Sequence, residues 1–195
     1  MNLMKKEVIA SMIDHTLLSP VAGVREIVRL CQEAKKYGFG AVCVNPSYVA
    51  VCKKELEYSN VKICTVVGFP LGAITTQDRV SETVNAVLTC ADEIDMVINI
   101  GWLKDKKYDA LENEIRTLKT ACGDKILKVI IETCLLTDEE KVKMCEIVTA
   151  AGADYIKTST GFSKAGATFA DMELFAKNIG ADVKMKAAGG IASMD

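Results

Sequence analysis

Three ionisable side chains stand where a buried strand would not ordinarily carry one. Lys157 closes the apolar run in Asp-Tyr-Ile-Lys-Thr-Ser-Thr-Gly, residues 154–161. Lys186 closes Asp-Val-Lys-Met-Lys ahead of Ala-Ala-Gly-Gly, and Asp95 interrupts the apolar run Glu-Ile-Asp-Met-Val-Ile-Asn-Ile. Burying a lone charge costs several kcal/mol, so such groups are paired, solvated or used. A lysine beside a second cation gives up its proton more readily, because the like charge disfavours the ammonium form. A neutral amine attacks carbonyls and forms Schiff bases. A nearby carboxylate then moves protons, directly or through a water. The types fit carbonyl chemistry through an imine. The alternative is two ordinary rim cations and a satisfied core acid, since structural ion networks use the same groups.

These residues need elements to hold them. Short apolar runs alternate with longer amphipathic segments along the chain. The strand candidates are residues 12–18, 39–44, 61–69, 93–100, 126–134, 154–158 and 182–190. Between them, helical spacing of apolar residues predicts helices over 24–38, 46–58, 77–91, 106–123, 137–152 and 168–180. Gly38 and Gly123 close two of these, and Pro46 opens one. Thr137 with Glu140 three residues on reads as a capping box.

Strands rich in Val and Ile with nearly continuous apolar character are what a parallel sheet buried on both faces requires. The alternation predicts an α/β fold. No G-x-G-x-x-G follows the first strand, which disfavours the dinucleotide-binding open sheet. Polar residues gather at strand C-terminal ends: Asp14-His15-Thr16, Asn45, Gly68, Asn99, Glu132-Thr133, Lys157-Thr158, Lys186 and Gly189-Gly190. So many strands contributing to one rim predicts a TIM (β/α)8-type barrel, as one domain over residues 1–195. Seven strands and six helices are legible where the complete class has eight of each.

Composition narrows the function classes. A net charge of −2 over 195 residues offers no electrostatic reason to bind nucleic acid or an anionic membrane. No segment approaches the roughly 20 apolar residues of a membrane span. The first eighteen residues lack a long apolar core and carry Glu7 and Asp14, so they do not read as a secretion signal. The eight cysteines form no C-x-x-C pair, and one histidine, His15, cannot support the usual Cys/His zinc site. Most sit in apolar runs, which predicts buried free thiols in a reducing cytoplasm.

The segments IDHTLL, AVCVNPSYV, VVGFPLGA, EIDMVIN, VIIETCLL, ADYIKTSTGF and VKMKAAGGI, in this order, resemble the deoxyribose-phosphate aldolase family. KTSTG and KAAGG at the ends of successive strands are specific as a pair. The resemblance spans about Ile13 to Ile191. It implies a class I lyase on a (β/α)8 barrel, using neither metal nor cofactor. The family reaction is reversible cleavage of 2-deoxy-D-ribose 5-phosphate to D-glyceraldehyde 3-phosphate and acetaldehyde. Lys157 then matches the Schiff-base lysine, Lys186 the second lysine that lowers its pKa, and Asp95 the acid working with water in proton relay. Gly189 and Gly190 match positions near the substrate phosphate, and Gly161 shares that reading; a tight turn would also want glycines. Thr158 and Thr160 could bond substrate hydroxyls or satisfy loop backbone. Cys43 and Thr16 resemble pocket-lining positions, a buried small hydrophobe being the equal alternative for Cys43, with His15 structural. Lys164 could help hold phosphate, though an exposed loop lysine is the commoner case. Lys184 shares a strand face with Lys186 by the two-residue period, which predicts a lysine deeper in the mouth or the packed interior.

The family's phosphate grip is completed after an eighth strand that is not legible here, so the reading is of a C-terminally truncated aldolase with weakened phosphate binding. The expected partners are small aldehyde and sugar-phosphate substrates, with a homodimer possible. Two alternatives stay open: a catalytically impaired barrel remnant, and another Schiff-base sugar-phosphate lyase.

Overall fold

The computed structural model describes residues 6–191. The expectations for residues 1–5 and for the last four residues lie outside that range. Seven strands alternate with helices: β1 (Asp14–Leu17), β2 (Ala41–Val44), β3 (Lys62–Val67), β4 (Glu93–Val97), β5 (Ile126–Ile130), β6 (Tyr155–Lys157) and β7 (Lys184–Lys186). The α-helices are α1 (Lys6–Ala10), α2 (Val24–Tyr37), α3 (Val49–Glu55), α4 (Thr76–Leu88), α5 (Ile100–Lys104), α6 (Tyr108–Cys122), α7 (Asp138–Ala151) and α8 (Phe169–Asn178). The chain forms two compact units, one made of residues up to Val66 plus Asn85–Ile94, the other of Val67–Val84 plus residues from Asp95 on.

In the first unit β1, β2 and β3 pair in parallel, with Thr16 opposite Cys43 and Cys43 opposite Cys64. β2 is buried along its whole length. Helix α2 buries Ile27, Leu30, Cys31 and Ala34, the i, i+3, i+4, i+7 set of one helical face. It ends on Gly38 in the left-handed conformation, where the Gly38 N–H returns to the Ala34 carbonyl.

In the second unit β5, β6 and β7 pair in parallel. Helix α6 buries Leu111, Glu114, Ile115, Leu118 and Cys122 by the same spacing. Glu114 is an acid in an apolar stripe, and it is paired: fully buried Arg79 of α4 donates to its carboxylate and also to the Gly72 carbonyl at 2.7 Å. The loop between β3 and α4 is thereby tied to the helix layer. Helix α7 begins on the predicted capping box, Thr137 accepting from the Glu140 N–H and Glu140 from the Thr137 N–H. Asp138, Glu139 and Glu140 place negative charge at the positive end of its dipole.

Several boundaries move. The 46–58 helix splits into a 3₁₀ turn at Pro46–Tyr48 and α3, and α3 stops at Glu55. Helix α5 is not legible as a helix in the sequence. Asn99 opens it by accepting from the Trp102 N–H at 3.1 Å, so this polar strand-end residue is a cap. The fifth strand stops at Ile130, and Glu132 then takes a left-handed backbone, φ 55. None of the eight cysteines is in a disulfide and six are buried, but Cys90 is exposed and Cys134 half-exposed, against the prediction for their apolar runs. Lys184 is exposed and lies over the Tyr155 ring at 5.6 Å, which corrects its expected place in the interior.

Candidate active site

The second unit gathers the ionisable residues on four strands. Asp95 of β4 is fully buried, Lys128 of β5 is 2% exposed and Lys157 of β6 is 7% exposed. Lys157 Nζ donates to Asp95 Oδ2 at 2.5 Å. Lys128 Nζ lies 3.1 Å from Asp95 Oδ1. The two lysines therefore occupy the two oxygens of one carboxylate. Lys186 stands directly opposite Lys157 in the β6–β7 register, and paired positions on neighbouring strands lie about 4.8 Å apart on one face. Lys128 is in register with Tyr155, two residues before Lys157, and shares its face by the strand period.

Burial alone would push the Asp95 carboxyl up. The charges of Lys128 and Lys157 outweigh that penalty, Lys186 adds to them, and the group is held below the usual carboxylate range. Three lysines and one carboxylate are thus brought to neighbouring strands, and a lysine amine in its neutral form is a nucleophile toward carbonyls.

The loop after β6 is stitched on both sides. The Ile131 N–H donates to the Lys157 carbonyl at 3.0 Å and the Thr133 N–H to the Thr158 carbonyl at 2.9 Å. On the other side the Thr158 N–H donates to the Lys186 carbonyl at 3.1 Å. The Thr158 hydroxyl both donates to the Ala188 carbonyl and accepts from the Ala188 N–H. The Thr160 hydroxyl donates to buried Glu132. Both hydroxyls are thus engaged with the protein itself. Gly161, Gly189 and Gly190 all have positive φ, 84, 83 and 78°. The loops after β6 and β7 press backbone to backbone: a Cβ on Gly166 would lie 2.1 Å from the Gly189 carbonyl oxygen. Ala167 N–H donates to the carbonyls of Ala188 and Gly189. Lys164 is exposed, as expected of a loop lysine.

The other two expected site residues belong to the first unit. Cys43 is fully buried on β2. Thr16 is exposed, with its hydroxyl on the Asp14 carbonyl at 2.8 Å. His15 bonds Glu33 at 2.7 Å and its ring lies 4.9 Å from that of Phe39, a structural setting.

Sequence reasoning misses two residues here. Lys128 sits in Ile-Leu-Lys-Val-Ile, a lysine inside an apolar run, the same signal that singles out Asp95. Glu132 reads in the sequence only as a polar residue at a strand end; no local pattern announces its burial.

The likeness to known proteins is specific. The model of the DeoC/LacD family of aldolases matches residues 8–195. The deoxyribose-phosphate aldolase of Clostridium perfringens is 52% identical over 193 residues, covering 98% of this chain and 86% of that one. That of Malacoplasma penetrans is 55% identical over 187 residues, covering 96% and 84%. Among solved structures, the tetrameric deoxyribose phosphate aldolase from Aeropyrum pernix has a TM-score of 0.89 at 32% identity, covering 97% of this chain and 80% of that one. This likeness carries the fold class, an α/β barrel of the TIM type, with seven strands among the described residues.

Proposed function

This chain belongs to the DeoC/LacD aldolase family, and we propose from that premise that it is a deoxyribose-phosphate aldolase working through a Schiff base on Lys157. The observation that carries the reading is the buried Lys157 amine, hydrogen-bonded to Asp95 and facing Lys186 across the strand pair. In this reading the Lys157 amine adds to the aldehyde carbon of open-chain 2-deoxyribose 5-phosphate, and loss of water gives the iminium. A base takes the proton of the C3 hydroxyl, the C2–C3 bond breaks, and its electrons flow to the iminium nitrogen. Glyceraldehyde 3-phosphate leaves. The enamine left behind takes a proton at C2, and water then releases acetaldehyde and the free lysine.

Asp95, held ionised by its lysines, moves the protons with the help of a water. Lys186 supplies the like charge that favours a neutral amine at Lys157. Lys128 occupies the second Asp95 oxygen and fixes which oxygen faces Lys157. The backbone N–H groups around Gly161, Gly189 and Gly190 receive the phosphate, an anion suited to such a concave run of donors. Thr158 and Thr160 shape the loop beneath the substrate. The chain acts as one barrel domain in the cytoplasm, where its free thiols stay reduced; no helix among the described residues is long and apolar enough to cross a membrane. It works as a homo-oligomer, a dimer being the simplest form.

The test is borohydride trapping with acetaldehyde, followed by peptide mass spectrometry. A reduced ethyl adduct of roughly +28 Da on the peptide carrying Lys157 is expected. An adduct on Lys128 or Lys186 alone would name a different nucleophile. No adduct on a cooperatively melting protein would reject the Schiff-base reading.

A further inference from the structure

Glu132 is the least explained residue near the nucleophile. It is 3% exposed. Its backbone is left-handed, φ 55 and ψ 65, a region that residues other than Gly, Asn and Asp rarely enter. Such outliers persist only where the surroundings over-determine them, and they gather at functional sites. Its carboxylate makes no ion pair among the described residues. It is held instead by Thr160: the Thr160 N–H is 3.3 Å from each oxygen, and the Thr160 hydroxyl donates to Oε2. The Thr160 hydroxyl accepts in turn from the Phe162 N–H at 3.1 Å.

The neighbours of Glu132 do related work. Ile131 N–H holds the Lys157 carbonyl, and Thr133 N–H holds the Thr158 carbonyl. Three successive residues past β5 therefore grip Lys157 at the end of β6 and Thr158 and Thr160 beyond it. The left-handed turn at Glu132 is what lets consecutive residues aim two N–H groups and one carboxylate at the same loop. A buried carboxylate accepting charge-assisted hydrogen bonds is a stronger tether than a neutral acceptor would be.

We propose that Glu132 is a positioning residue for the reaction: through Thr160 it sets the loop that begins at Lys157, and so the approach of the amine to the carbonyl carbon. The proposal rests on the Schiff-base reading of Lys157. Glu132 touches no reacting atom itself.

The experiment measures the rate of borohydride-trapped adduct formation with acetaldehyde, together with kcat, KM and thermal melts, in the full chain. The wild-type protein is run first. If it forms no adduct, the Schiff-base reading falls and this proposal with it. If it does, Glu132→Ala and Thr160→Val are each expected to slow trapping about 10- to 100-fold, the size of effect that a displaced reacting group produces. The loss falls on kcat, with KM for deoxyribose 5-phosphate changed less than about threefold. Thr160→Ser keeps the hydroxyl and is expected to stay within about threefold of wild type. The double variant Glu132→Ala/Thr160→Val is expected to be no slower than the worse single one, because both remove one link. Should Glu132→Ala not fold, Glu132→Gln and Thr160→Val probe the same link from its two ends. Trapping at the wild-type rate in folded Thr160→Val or Glu132→Gln, with only the melting temperature lowered, would overturn the proposal and leave Glu132 a structural residue.

Discussion

Lys128 and Lys157 divide one carboxylate between them, Lys157 on Asp95 Oδ2 at 2.5 Å and Lys128 near Oδ1 at 3.1 Å. The same anion thus holds the candidate nucleophile and a second buried cation. Which lysine reacts is then a matter of access and neighbours: Lys157 is the more exposed of the two, and it is the one facing Lys186.

The two lysines should separate in a trapping experiment. Lys157→Ala is expected to lose the acetaldehyde adduct and to lower turnover by at least on the order of 10³-fold, since no other amine takes over the covalent step. Lys128→Met, which keeps the length but not the charge, should retain the adduct on Lys157 at a rate reduced by about 10- to 100-fold. An adduct that persists in Lys157→Ala at the wild-type rate would move the nucleophile elsewhere.

Asp95 links the site to acid stability. Its carboxyl is held below its ordinary value of 3.8, so it binds fewer protons folded than unfolded near and below that pH. Its contribution is present in full above 3.8 and is lost as pH falls through the lower folded value. Asp95→Asn leaves buried lysines without their anion and is expected to cost about 3 kcal/mol near neutrality. The gap in melting temperature between wild type and variant should narrow as pH drops from about 6 to about 2.5. Melts by circular dichroism across that range check the sign; a gap that widens toward acid contradicts it.

The Arg79–Glu114 pair is buried on both sides, and Arg79 also holds the Gly72 carbonyl. Arg79→Met is expected to destabilise by about 3–5 kcal/mol, because Glu114 is left buried without its partner. The double replacement Arg79→Met/Glu114→Leu should recover part of that loss. Urea denaturation of wild type and the two variants measures both numbers, and equal stability of the single and double variants would show that the unpartnered Glu114 is not what costs.

Gly166 has no room for a side chain, since a Cβ there would meet the Gly189 carbonyl oxygen at 2.1 Å. Gly166→Ala should force apart the loops after β6 and β7, the pair proposed to receive phosphate. KM for deoxyribose 5-phosphate is expected to rise about tenfold, while trapping with phosphate-free acetaldehyde stays within about threefold. Equal losses on both substrates would place the damage at Lys157 instead.

Much of this site is legible in the sequence, and the rest has physical reasons to be hidden. The strand–helix alternation, the capping box at Thr137 and the buried face of α2 are local: they follow from periods of two and 3.6 residues and from single caps. Asp95, Lys157 and Lys186 stand out because a charge in an apolar run needs a partner wherever the chain goes. Lys128 carries the same signal without a paired motif to draw attention to it. Its sharing of Asp95 joins β4 to β5, across a helix layer in sequence, and only strand register decides that two side chains meet. The left-handed backbone at Glu132, and the capture of the Thr158 and Thr160 hydroxyls, arise from two loops settling against each other. Lys184 shares a strand parity with Lys186 yet is exposed over Tyr155, since a two-residue period assigns a face but not how deeply that face is covered. Local patterns in the chain mark Asp95, Lys157 and Lys186 as residues able to do chemistry; tertiary packing brings Lys128 to the same carboxylate, because distances between strands are set by pairing that no local pattern encodes.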